Sequence, residues 1–263
     1  MGKWYDYESP DPPIQHARLS ALRELTSRNI PCILWGEDAL NYGHAVPTQL
    51  FDQQILVPDE LLETAAAVLR EGNYISAPFT KWYFDYEWDS NKDMNYVPDG
   101  IFLQHRDIPE DDPHRLEPLP RHILLLPQSY YGLDVRSKER FKSLVPPLDA
   151  SNADILVPKH HAFLEGLVAF LMRPPSGLEI QHARGFAKHD VYISYLLDYR
   201  VKFDEDEVLP PSKEPLPEER LILSELQTEE ARWYMGVFIE QRRIPKIEDV
   251  REFHRQKTLS SYA

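Results

Sequence analysis

Apolar and polar residues follow both helical and strand-like spacings along the first half of the chain. Apolar positions at helical spacing predict three helices, at 13–29, 37–42 and 58–70. Short buried runs and alternating patterns predict six strands, at 30–35, 49–57, 74–77, 82–88, 100–105 and 122–126. This mixture of short strands and helices predicts an α+β core over residues 1–150.

The second half of the chain is dominated by helical spacing. A short apolar run begins at residue 153, and helices are predicted at 158–172, 180–199, 217–226, 229–243 and 247–257. An acidic, proline-rich stretch at 202–217 separates the second of these helices from the third and predicts a linker or an exposed loop. We therefore expect a mainly helical C-terminal region over residues 151–263.

Composition and charge narrow the class of protein. The formal net charge is −14, which disfavours broad binding to phosphate backbones, so no general nucleic-acid partner is expected. No run of 18 apolar residues occurs and the N-terminus lacks the apolar core of a signal peptide, so no membrane partner is expected either. The single cysteine, Cys32, fits a reducing compartment. A cytoplasmic protein, or a nuclear one, is the expectation.

One segment carries a resemblance to a known family. A strand ending at Trp35, a turn at Gly36, a short helix and then a strand with Asp52 resemble the core of the nucleotidyltransferase fold, the DNA polymerase β-like superfamily. The resemblance implies a mixed β-sheet flanked by helices. It also implies two-metal phosphoryl transfer, in which two acids at i and i+2 of a strand hold Mg²⁺ and a Gly-Ser turn approaches the phosphates of a nucleoside triphosphate. A third acid on a later strand usually completes such a site.

The residues that match this pattern are few. Gly36 fits the phosphate-binding turn and Asp52 the first metal-binding acid, but Glu37 stands where the family has Ser. Gln54 replaces the second acid, and the later strand at 122–126 contains no acid. The carboxylate of Glu37 favours the start of the helix and would repel a triphosphate. These departures predict a protein that has lost the usual Mg²⁺-dependent transfer.

Three functions remain open. The first is binding of a small molecule or a protein in the former active cleft. The second is an active, divergent transferase that uses Mg²⁺ and a nucleoside triphosphate, with Asp52 and Glu37 as catalytic residues, Asp52 as metal ligand, Gly36 near the cofactor, and Asp85 or Glu87 as further ligands. The third is a protein-interaction module that works through the C-terminal helices. No substrate, partner or oligomeric state follows from the sequence.

Other residues have simpler explanations. The alternating acids Asp85, Glu87 and Asp89 fit a wet strand face that discourages aggregation. The adjacent histidines at 160 and 161, with others at 182 and 189, lack the spacing of a zinc site. Cys32 fits an inert core thiol. The pair at 130 and 131, two tyrosines after a strand end, fits either a core position or the wall of a cleft.

Overall fold

A computed structural model describes residues 10–48, 50, 52–77, 100–108, 119–173, 187–201, 214–241 and 243–260. The strand predicted at 82–88, the acids on it and His182 lie outside these ranges, as does most of the acidic stretch that begins at residue 202. The solvent-exposed strand face predicted for Asp85, Glu87 and Asp89 therefore stays a prediction.

The described residues form one mixed sheet of seven strands. The strands are β1 Ile33–Trp35, β2 Gln53–Val57, β3 Tyr74–Ser76, β4 Ile101–His105, β5 His122–Pro127, β6 Phe141–Ser143 and β7 Leu156–Pro158. Their order across the sheet is β3-β4-β5-β2-β1-β7-β6. The central strands β1, β2 and β5 are buried along their whole length, as expected for strands that are covered on both faces.

Strand direction decides which residues meet at each edge of the sheet. Strand β1 is antiparallel to β2 and parallel to β7, while β2 is parallel to β5. The other neighbouring pairs are antiparallel. As a result, β1 and β7 end at the same edge at which β2 and β5 begin.

Helices cover both faces of this sheet. In chain order they are α1 Pro12–Arg18, α2 Ser20–Ser27, α3 Gly36–Asp38, α4 Leu62–Glu71, α5 His160–Met172, α6 Ala187–Asp198, α7 Pro217–Glu225, α8 Glu229–Gln241 and α9 Ile247–Ser260. A π-helical turn, Ala39–Gly43, continues α3. Trp35 packs against Phe163 of α5 on one face, whereas Gln53 bonds Arg18 of α1 on the other. None of the described helices is long and apolar enough to cross a membrane.

The α+β prediction is confirmed, and the differences from the predicted elements are local. The opening helix breaks at Leu19, which caps both α1 and α2. Strand β2 begins at Gln53, so Asp52 lies just before the strand rather than within it. The sequence pattern missed β6, a three-residue edge strand with one side chain exposed. The sheet also continues past residue 150 through β7, while the predicted domain boundary stays a prediction.

The C-terminal helices contribute to the main hydrophobic core. Tyr234 and Met235 of α8 are almost fully buried, and α8 packs against α5. In α9, Val250 is buried and the Nε2 atom of His254 lies 3.0 Å from the carbonyl oxygen of Met172 at the end of α5. Helices α8 and α9 thus cover the side of α5 that would otherwise face water.

Cys32, immediately before β1, lies in the same core. Burial raises the pKa of its thiol to about 12. The expected inert core thiol fits this environment.

Candidate functional site

Gly36 and Asp52, which the sequence singled out, lie at one edge of the sheet together with His122, which it did not. Gly36 follows the end of β1, Asp52 precedes the start of β2, and His122 is the first residue of β5. The register pairs Gln53 with Ile123, so Asp52 and His122 stand side by side one residue earlier. Strand pairing therefore creates this cluster.

Gly36 adopts a backbone conformation that other residues rarely take. Its φ is +65°, and a Cβ built on it would lie 2.5 Å from the Nε2 atom of Gln54. The glycine is required both by the turn and by the side chain pressed against it. The space above the turn, where a phosphate would approach in a transferase, is occupied by the Gln54 amide.

Glu37 and Gln54 are directly linked. The Nε2 atom of Gln54 donates to the Oε2 atom of Glu37 over 3.2 Å. Both residues are buried, at 4% and 3% exposure. Glu37 and Gln54, the two positions that depart from the family pattern, are therefore joined by a hydrogen bond.

Asp52 is held by a histidine. The Nδ1 atom of His122 lies 3.0 Å from the Oδ1 atom of Asp52, and the His122 ring stacks on Phe102 at a centroid distance of 4.6 Å. The second carboxylate oxygen, Oδ2, is buried and finds no hydrogen-bond partner in the described part of the chain. A buried carboxylate oxygen without a donor is costly, so this atom favours an incoming donor group.

A charged pair stabilises the other side of α3. Arg18 donates to both carboxylate oxygens of Asp38, once through Nε and once through Nη2 over 2.8 Å. Gln53 in turn donates to the carbonyl oxygen of Arg18 over 3.2 Å. Helix α1, helix α3 and strand β2 are thereby joined behind the cluster.

No three His, Cys, Asp or Glu side chains within the described ranges converge as a metal site would require. Asp52, the predicted metal ligand, contacts His122, and Glu37 contacts an amide. Residues Asp85 and Glu87, the further ligands of the active alternative, lie outside the described residues.

Sequence reasoning missed His122 and the Arg18–Asp38 pair. The family pattern predicts an acid in the later strand, whereas the side chain that contacts Asp52 is the histidine at the start of that strand. A polar residue at the start of an otherwise apolar strand was the available signal. For Arg18 the available signal was its helical spacing from Leu22 and Leu25, which places it on the apolar face of the predicted helix, although a basic residue in a helix is ordinarily exposed.

The remaining candidates are core positions. Tyr130 and Tyr131 are both buried, and the Tyr131 hydroxyl lies 3.3 Å from the Nε2 atom of His189. His189 stacks on Phe170 at 4.2 Å, so it belongs to the same aromatic cluster. Tyr130 and Tyr131 therefore pack against α5. Of the two positions that the sequence allowed for them, they occupy the core position.

No protein-family model, no curated protein and no solved structure matches this chain.

The turn at Gly36 yields a direct test of the packing. Gly36→Ala is expected to lower the free energy of unfolding by about 2–4 kcal/mol, because it adds left-handed strain and displaces Gln54. Denaturant unfolding measures this change. Gly236→Ala is the matched control, since no described atom outside the local helix backbone lies within 4 Å of the added carbon and the mid-helix position should gain stability. Equal effects of the two substitutions would contradict the packing described for Gly36.

Proposed function

We propose that this chain is a nucleotidyltransferase-fold protein that acts by binding a ligand, either a small molecule or a protein, in the former active cleft. In this proposal it does not perform the usual Mg²⁺-dependent nucleotidyl transfer. The order of the elements supports the proposal: β1, the Gly36 turn, a short helix and then β2 belong to one mixed sheet flanked by helices, as the resemblance implies.

The observation that carries the loss of transfer is the contact of Gln54 with both Gly36 and Glu37. In a working transferase the strand residue would bind Mg²⁺ and the turn would face phosphate. Here an amide fills the turn and a carboxylate stands at the start of α3. Both features disfavour a triphosphate in this position.

The state of Asp52 supports binding of a donor-bearing ligand. Its Oδ1 atom lies 3.0 Å from the Nδ1 atom of His122, while Oδ2 is buried and has no donor among the residues that the structure describes. An N–H or O–H group of a small molecule, or of a partner's side chain, would satisfy that oxygen. The favoured ligand therefore brings hydrogen-bond donors, such as amines, amides or alcohols.

The active, divergent transferase is the second candidate. It is favoured by the Oδ2 atom of Asp52, for which the described ranges supply no donor, and by the presence of Glu37 at the same edge of the sheet. In that case Mg²⁺ together with a nucleoside triphosphate would occupy the place assigned above to a donor group.

A thermal-shift experiment separates the two candidates. Each nucleoside triphosphate, with and without Mg²⁺, is expected to leave the melting temperature unchanged, because the Gln54 amide fills the turn. Donor-bearing small molecules are screened in the same assay. A true ligand should stabilise the wild type and Asp107→Asn, which alters an exposed acid, but not Asp52→Asn.

Stabilisation by a nucleoside triphosphate would contradict the expected result. A Mg²⁺-dependent rise of several degrees that disappears in Asp52→Asn would overturn the binding proposal and favour the divergent transferase. If the rise persists in Asp52→Asn, the nucleotide binds elsewhere and neither candidate describes this edge of the sheet.

A further inference from the structure

A separate cleft of about 410 Å³ opens where the π-helical turn meets β6, α5 and α6. Its volume falls within the range of small-molecule sites. The cleft is lined by four side chains that can carry a positive charge, His44, Lys142, His160 and Arg200. Apolar and aromatic residues, among them Leu196, complete its wall. None of these residues belongs to the Asp52 cluster, so this cleft is distinct from the proposed binding site.

The charge of this cleft is opposite to that of the chain. The protein has 43 acidic and 29 basic residues, yet the described residues that line the cleft include Lys142 and Arg200 and no acid. Glu225 holds Arg200 from outside the lining through two hydrogen bonds of 2.8 Å. Within the described part of the chain Lys142 makes one hydrogen bond, over 2.5 Å to the carbonyl oxygen of Gly43, so its ammonium group keeps further hydrogens to donate.

The two histidines remain neutral and shape the wall. The Nε2 atom of His44 lies 3.0 Å from the carbonyl oxygen of Pro158, and that of His160 lies 2.9 Å from the carbonyl oxygen of Leu196. Because a carbonyl only accepts, each Nε2 carries the hydrogen. Burial lowers the pKa of His44 to about 3 and that of His160 to about 4. The rings therefore provide flat, uncharged surfaces beside the two cations.

The backbone around the cleft is unusual at two points. Ala45, which lines the cleft, has a φ of +55°, a conformation that alanine rarely adopts. The π-helical turn Ala39–Gly43 ends two residues before it. Strained residues and π-helical turns both concentrate at functional sites in proteins. The positive φ of Ala45 and the π-helical turn are observations independent of the basic side chains, and both lie at this cleft.

We propose that this cleft binds a small anionic molecule in which a phosphate or carboxylate group is carried by an aromatic or apolar body. The anion would lie against Lys142, with Arg200 fixed behind it by Glu225. The body would lie against the His44 and His160 rings and Leu196. Such a ligand matches the charge and the flat walls at the same time.

Isothermal titration calorimetry with phenyl phosphate, benzoate and phenol tests the proposal on the full chain. At least one of the two anions is expected to bind with a Kd of about 1 mM or lower, and phenol about tenfold more weakly. Comparison of phenyl phosphate with benzoate identifies the anionic group. Added salt should weaken binding of the anion, since the cleft is open to solvent.

Variants decide whether the binding occurs in this cleft. Lys142→Gln is expected to weaken anion binding about tenfold, whereas Lys138→Gln, an exposed lysine outside the cleft, should leave it unchanged. Asp52→Asn should also leave it unchanged, so failure here is distinguishable from failure of the proposed function. Absence of binding by both anions, or equal effects of Lys142→Gln and Lys138→Gln, would overturn the proposal. Because Lys142 is exposed, its replacement should not alter the melting temperature.

Discussion

Replacing Arg18 by methionine is expected to lower the free energy of unfolding by about 3–5 kcal/mol. Arg18 and Asp38 are 2% and 0% exposed, and the guanidinium group provides two hydrogen bonds to the carboxylate. Without Arg18, Asp38 would lose the cation that offsets its burial, which already raises the pKa of its carboxyl group. Denaturant unfolding followed by tryptophan fluorescence measures the change.

Two further variants show whether the loss comes from the stranded charge. The double variant Arg18→Met/Asp38→Leu should recover most of the stability, because apolar pairs often replace a buried ion pair without cost. Arg255→Met removes the partner of Glu252 on the exposed face of α9 and should cost less than about 1 kcal/mol. Similar losses for Arg18→Met and Arg255→Met would mean that water reaches Asp38.

Ending the chain after residue 210 is expected to abolish cooperative folding. This truncation removes α7, α8 and α9, which bury large side chains including Ile222, Tyr234 and Met235. A buried side chain of this size contributes about 1.5–3 kcal/mol, and the face of α5 that they cover would also be exposed. The sum approaches the whole stability of a typical domain, about 5–15 kcal/mol. Circular dichroism during thermal melting is the measurement.

The truncation also tests the third function that the sequence left open. A truncated chain that stays folded but loses a partner would favour an interaction module in the C-terminal helices. An unfolded product would indicate that these helices are needed for the core itself. Leu259→Ser, at a side chain that is 60% exposed in α9, is the matched control and should leave the melting curve unchanged.

Local patterns predicted most of the described elements but not how the strands pair. The runs at 49–57 and 122–126 were recognised as strands because of their apolar content. Their parallel pairing brings together residues 70 positions apart, as in the contact of Asp52 with His122. Such pairing depends on the whole sheet, so the local pattern of the later strand does not predict that its first histidine contacts Asp52.

The partner of a buried charge was equally hidden from the sequence. Arg18 lies at helical spacing from Leu22 and Leu25, on the apolar face of the predicted helix, but nothing in the sequence identifies Asp38 as its partner. Its burial results from the position of Asp38 at the end of α3, which the register of β1 determines. In the same way, the cleft between His44 and His160 joins segments more than a hundred residues apart. The sequence indicated neither.

The single thiol of this chain offers an internal reporter for all of these variants. Because Cys32 is buried beside β1 and burial raises the pKa of its thiol to about 12, a maleimide or disulfide reagent can react only when that part of the core opens. The rate of modification under native conditions therefore measures how often the strand separates from its neighbours. Labelling at a single position, read by mass spectrometry, would rank every substitution by its effect on this local opening.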